Sequence, residues 1–151
     1  MRVLFLESYF KPEKTSGAHF AEDVRNALVD RGHTIQFYAP TPSRNVDDEV
    51  RKKYKKFKKE TERDGKIDIY RFSLYREGKK TIERAVRYVI LEIKLLWFGV
   101  LAKNIDILPM GSTPPINGLM ATIIKKLKKL PFVYTVQDMF PALTRDSGNI
   151  S

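Results

Sequence analysis

The alternation of apolar and polar positions divides this chain into strands and helices. RVLFL, Arg2 to Leu6, reads as a strand buried on both faces. From Gly17 to Arg31 the period becomes helical: Phe20, Val24, Ala27 and Leu28 share one face, and Glu22, Asp23, Arg25 and Asn26 lie mostly elsewhere. Ser16 is placed to cap that helix and Gly32 to end it. Thr34 to Ala39 predicts a second strand, stopped by Pro40 and Pro42, and IDIYRF, Ile67 to Phe72, alternates as a third. A long helix is expected from Lys80 to about Lys103, then a strand at Ile105 to Met110 closed by a GSTPP turn. A helix over Asn117 to Lys129 gathers lysines where they suit its dipole, LPFVYTV (Leu130 to Val136) is a fifth strand, and QDMFPALTRD begins a further helix.

Strands that alternate with helices predict a mainly parallel sheet with right-handed crossovers and helices on both faces. Ligands of such sheets bind beyond the carboxyl ends of the strands. That rule points to Glu7 to His19, Ala39 to Asn45, Met110 to Asn117 and Gln137 to Arg145. The length of 151 residues suits one domain, residues 1–151, with a polar and basic stretch at about 43–66 set into it.

Composition narrows the chemistry. Hydrophobic residues make up 42 % of the chain, a globular proportion. Without cysteine there are no disulfides, thiolate metal sites or thiol nucleophiles, and two histidines are too few for a histidine-rich metal centre, so no metal and no cofactor is expected. The first residues lack the pattern of a secretory signal, and the longest uncharged apolar run, Leu95 to Ala102, is far short of the ~20 residues of a spanning helix. A net charge of +10 favours polyanionic partners: nucleic acid, anionic lipid or phosphate-bearing small molecules.

Three familiar nucleotide and hydrolase patterns are missing. The first turn is too long and holds only Gly17, and the second strand ends Phe37-Tyr38-Ala39-Pro40 without an acid for a ribose, which excludes a dinucleotide fingerprint. Neither a G-x-x-x-x-G-K-[ST] loop nor a G-x-S-x-G elbow occurs. What remains is a small residue at a helix N-terminus, where backbone N–H groups attract a phosphate or carboxylate. Gly17 and Ser16 equally suit close packing and capping alone, and the residues do not separate the two readings.

Two stretches carry a resemblance. YFKPEKTSGAHFAEDVRNALVDRGHTIQFYAP resembles the opening of family 4 glycosyltransferases of the GT-B type, and MGSTPPINGLMATIIKKLKKLPFVYTVQDMFP is similar to their bacterial surface-polysaccharide branch. The resemblance implies a Rossmann-like three-layer α/β/α domain, one half of a GT-B fold. It would bind an acceptor, typically a lipid-linked diphosphate, during transfer of a hexose or N-acetylhexosamine from a nucleotide-sugar donor in cell-surface polysaccharide synthesis. The family's donor-side pair of glutamates has no counterpart here, so the donor-binding domain is expected to be absent from these 151 residues, and the chain alone to be inactive.

By position, Ser16, Gly17 and Ala18 would face the donor phosphates and the reacting sugar, with Ser112 and Thr113 in the serine-threonine-proline turn of the same cleft. Gln137, Asp138 and Arg145 would reach that cleft from the fifth strand. Asp138 is the candidate base or sugar-hydroxyl ligand, its plainer role being a helix N-cap. His19 is the second catalytic candidate, with a place in the helix against the sheet as its alternative. His33, beside Gly32, is read as structural.

The basic middle supplies the candidate membrane contact. Arg51, Lys52, Lys53, Lys55, Lys56, Lys58 and Lys59 place seven cations within nine positions around Tyr54 and Phe57, a self-repelling run that an anionic surface would offset. A location at the cytoplasmic, inner face of the membrane follows from the implied acceptor. For IKLLWFGVLA, burial in the core is preferred over a headgroup role for Trp97 and Phe98. Two other readings stand beside the transferase: a nucleic-acid-binding α/β module using Tyr54, Phe57 and the lysines, ranked low for want of a motif, and a non-catalytic subunit that recruits a separate donor-binding chain.

Overall fold

A computed structural model describes residues 1–13, 18–44, 46–56, 59–76, 78, 80–112, 114 and 116–136, the side chains of residues 18 and 56 excepted. Among them are six strands and four helices: β1 (Arg2–Leu6), α1 (Ala18–Asp30), β2 (Thr34–Pro40), α2 (Asp48–Lys56), β3 (Lys59–Glu62), β4 (Ile67–Phe72), α3 (Thr81–Leu101), β5 (Leu108–Gly111), α4 (Asn117–Lys128) and β6 (Phe132–Thr135).

The architecture is mixed α/β with a mostly parallel sheet. β1, β2 and β4 pair in parallel, and β3 closes that edge antiparallel to β4. β5 and β6 form a second parallel ladder. A parallel bridge from Val3 to Ile107 joins the two, with Leu4 N–H donating to Ile107 O at 3.0 Å and Asp106 N–H to Arg2 O at 2.9 Å. The spatial order is therefore β6-β5-β1-β2-β4-β3. Every strand but β3 ends at one rim.

Successive strand residues point to opposite faces, and β1 serves both. Leu4 and Leu6 pack with Leu91 and Leu95 of α3 and Met120, Ala121 and Ile124 of α4. Val3 and Phe5 pack with Phe37, Ile35 and Ile69 of the sheet and Val29 of α1. From Val3 to Leu6 the strand is apolar throughout because neither of its faces is left to water. Gly32 ends α1 in the left-handed region at φ +81°, where its N–H donates to Val29 O and that of His33 to Leu28 O, closing the last turn.

Three expectations are corrected here. Helical spacing from Val50 to Thr61 fails after Lys56, because Lys59 to Glu62 pair with β4 instead. The fourth strand starts at Leu108, later than Ile105, since Ile105 and Asp106 serve as the approach that docks on Arg2. IKLLWFGVLA is divided between environments. Leu95 and Gly99 are buried, Phe98 stacks on Tyr38 at 4.9 Å, and Trp97 stands 64 % exposed. Trp97 belongs to a stripe of exposed apolar residues, Ile82, Val86, Val89, Ile93, Trp97 and Leu101, that follows the helical period along the whole of α3. Among the described residues, no helix is long and apolar enough to cross a membrane.

Candidate functional site

The chain order reverses direction between β1 and β5: the early strands build outward through β2 and β4, the later ones through β5 and β6 on the other side. Loops leaving neighbouring strands in opposite directions cannot fill the space between them, which is why open α/β sheets bind ligands there. A cleft of about 440 Å³ occupies that position, lined by Glu7, Tyr9 and Phe10 after β1, Phe20, Val24 and Arg25 of α1, Arg44 after β2, Tyr88 of α3, and Gly111 and Asn117 beyond β5.

Two of its lining residues, Glu7 and Arg25, carry opposite charges. Glu7, half-buried at the tip of β1, donates its N–H to Tyr38 O at 3.0 Å. Burial pushes its carboxyl from the ordinary 4.5 up to about 7, with the attraction of Arg25 opposing. Arg25 is buried, its guanidinium 5.3 Å from the ring centres of both Phe10 and Phe37. That burial lowers its own proton affinity, partly offset by Glu7, Glu22 and Glu62. On the α3 side, the hydroxyls of Tyr9 and Tyr88 meet at 2.9 Å. A carboxyl that titrates near neutrality can exchange a proton with a substrate hydroxyl, and the tyrosines add donors and flat apolar surface.

The loops that shape the cleft are tied by a buried acid. Glu13 accepts N–H groups from Ser43 at 2.8 Å, Arg44 at 2.7 Å and Phe10 at 3.4 Å, so the loops after β1 and β2 share one anchor. Arg51 donates to Pro42 O and, at 2.6 Å, to Leu74 O, which joins the loops after β2 and β4. Arg71 links Glu60 at 2.6 Å with Lys11 O at 2.9 Å. These bonds make the rim a connected ring, not a set of independent loops.

The expected site residues fare unevenly. Ala18 opens α1, and His19 is exposed in its first turn without lining the cleft. Ser112 is buried just past β5, its N–H donating to Thr135 O at 2.9 Å, while its neighbours Gly111 and Pro114 line the cleft. Asn117 donates from Nδ2 to Gly111 O at 3.0 Å, holding that turn closed. Ser16, Gly17, Thr113, Gln137, Asp138 and Arg145 lie outside the described residues, as do Phe57 and Lys58. His33 sits by the opposite rim, its Nδ1 3.4 Å from the amino terminus.

The basic segment changes character. Lys52, Lys53 and Lys55 are exposed on α2. Arg51 is buried and hydrogen-bonded to backbone, so it is a tie between loops and not part of a surface patch. Tyr54 is half-buried, its ring 4.5 Å from the Arg71 guanidinium, which keeps it from anchoring in lipid. Lys59 starts β3 and pairs with Asp68 at 2.9 Å. A second, lysine-lined depression is formed by Thr122, Lys125, Lys126, Lys129 and Pro131, away from the strand tips.

Sequence reasoning did not single out Glu7, Tyr9, Arg25, Arg44 or Tyr88. The first, second and fourth fall within the windows drawn at the strand tips, which was the only signal available for them. Among the described residues no group of three His, Cys, Asp or Glu side chains could hold a metal ion. Compared with protein-family models and with curated proteins, the chain finds no match.

Proposed function

We propose that this chain is the acceptor-side domain of a GT-B glycosyltransferase of the family 4 kind, a three-layer half whose cleft faces a donor-binding wall supplied by another domain or chain. The observation that carries the reading is the cleft itself. It lies at the reversal point of a parallel sheet and combines a near-neutral carboxyl, two tyrosines and exposed apolar side chains of α1.

In transfer, an acceptor hydroxyl bonds to the anomeric carbon of the donor sugar, the bond from that carbon to the nucleotide diphosphate breaks, and the hydroxyl proton leaves to a base. Glu7 is suited to take or orient that proton. Alignment of the two substrates and neutralisation of the departing diphosphate supply the rest. Phe20 and Val24, exposed at 59 % and 37 %, give an apolar lip for the first part of a lipid tail. The exposed stripe of α3, ending in Trp97 and Leu101, together with Lys52, Lys53 and Lys55, supports docking on the anionic inner face of a cell membrane.

The test compares ligands on the full chain by calorimetry: a short-chain prenyl diphosphate sugar, a nucleotide-sugar and a single-stranded oligonucleotide. The reading expects the prenyl diphosphate sugar to bind at least about tenfold more tightly than the other two. Preference for the oligonucleotide contradicts it.

A further inference from the structure

Four arginines, Arg44, Arg51, Arg76 and Arg87, converge where the loops after β2 and β4 meet the first turns of α3, and of the four only Arg76 forms a salt bridge among the described residues. Arg87 is fully buried, at 0 % exposure. Its Nε donates to Tyr75 O at 3.1 Å and its Nη2 to Ser43 Oγ at 2.6 Å, both neutral partners. Its Nη1 is buried with no hydrogen-bond partner among the described residues. Arg51, also buried, spends its donors on two backbone carbonyls. Burial first, then repulsion by Arg87 and Arg76, lowers its proton affinity, with Glu13 and Asp48 opposing.

Two of the carboxylates nearby are already engaged. Asp48 is held by Arg76 at 2.8 Å, and the Glu13 oxygens accept three backbone N–H groups. Buried guanidinium groups cannot shed their charge, so an arrangement of this kind favours an anion beside it. The cleft is the adjoining open space. Arg44 lines it, with its guanidinium 5.5 Å from the centre of the Tyr9 ring, and Arg87 lies 6.0 Å from the same ring.

We infer that Arg44 and Arg87, set against the Tyr9 ring with Arg51 behind them, form a phosphate-binding site at the α3 side of the cleft. A phosphate dianion suits this setting better than a single carboxylate does, because the Arg44 fork offers parallel donors to two oxygens and the buried charges behind it add attraction. Arg44 makes the direct contact from the surface, and Arg87, fully buried with its Nε and Nη2 engaged, supplies charge behind it. Assignment of this site to the diphosphate of a lipid-linked acceptor rests on the transferase reading; its affinity for phosphate does not.

Inorganic pyrophosphate titrated into the full chain and followed by calorimetry and ³¹P resonance tests the site, with Arg44→Ala, Arg87→Lys and the control Lys125→Ala/Lys126→Ala. Saturable binding is expected, weakened about tenfold by Arg44→Ala and severalfold by Arg87→Lys, which keeps the charge but loses the bond to Ser43 that positions the Arg44 loop, and unchanged in the control. Circular-dichroism melts establish that each variant is folded. Absence of saturable binding, equal binding by Arg44→Ala, or a matching loss in the lysine control overturns the site. The prenyl diphosphate sugar separates the two claims. If it binds Arg44→Ala as tightly as the parent chain, the phosphate site falls and the transferase reading stands. If pyrophosphate binding needs Arg44 while the prenyl diphosphate sugar gains nothing over pyrophosphate, the site stands and the acceptor assignment falls.

Discussion

Replacing Glu92 on α3 by Met is expected to stabilise the protein, by an amount that grows as pH rises from about 5 to 7. Glu92 is 7 % exposed, and neither carboxyl oxygen has a hydrogen-bond partner among the described residues. Burial alone raises its proton affinity from 4.5 to about 7. The sign follows from linkage: as pH climbs past 4.5 the unfolded chain releases this proton first, so the folded state loses stability until its own carboxyl ionises near 7. At 1.36 kcal/mol per pH unit, the cost present at pH 8 is roughly 3 kcal/mol, most of it acquired above pH 5. Methionine removes the charge, keeps much of the volume and adapts to the space. Urea denaturation of Glu92→Met and the parent chain should differ by less than about 1 kcal/mol at pH 5 and by about 2–3 kcal/mol in favour of the variant at pH 8. In thermal melts at pH 8 that is a rise of several degrees. A difference that does not change with pH would refute the reasoning, and a loss of stability at pH 8 would mean that the carboxylate has a stabilising partner.

Other perturbations separate ties from site residues. Glu7→Gln should flatten the stability profile in the same direction between pH 4.5 and 7, by a smaller amount because the group is only half-buried, and should abolish any rise in transfer or ligand binding that follows ionisation near pH 7. Glu13→Ala is expected to cost about 2–3 kcal/mol in denaturant melts, since three backbone donors lose a charged acceptor at once. Gly32→Ala should cost about 1 kcal/mol, as φ +81° is strained for a side chain even with open space around it. Flotation with phosphatidylglycerol vesicles should fall sharply in Trp97→Ser/Ile93→Ser and weaken with salt; flotation equal to the parent chain would remove α3 from the membrane contact.

The sheet was readable because strand burial leaves its pattern in the residues: VLFL within β1 is an unbroken apolar run and IDIYRF alternates. Gly32 was readable for a local reason: few residues besides glycine tolerate its backbone angle. The short strand β3 was not, because KETE has no apolar pattern and owes its conformation to pairing with β4. The apolar face of α1 misled in an informative way. Phe20 and Val24 share the helical period of core residues yet stand exposed at the cleft, while Arg25 takes a buried position against the Phe10 and Phe37 rings. Periodicity reports which residues want to leave water, not whether this chain or a ligand removes them. Arg44, Arg51 and Arg87 were beyond reach for a related reason, since one is a surface cation and two are buried ties, a distinction that only the folded loops create.

The account depends on the cleft at the tips of β1 and β5 being the place where a ligand binds. Backbone amide shifts of the isotopically labelled full chain, recorded while a short-chain prenyl diphosphate sugar is added, test this most directly. Saturating shifts should centre on Glu7, Tyr9, Arg25, Arg44, Tyr88, Gly111 and Asn117 and leave Lys125, Lys126 and Lys129 unmoved. Shifts confined to the lysine depression or to α2, or none at saturating ligand, would contradict it.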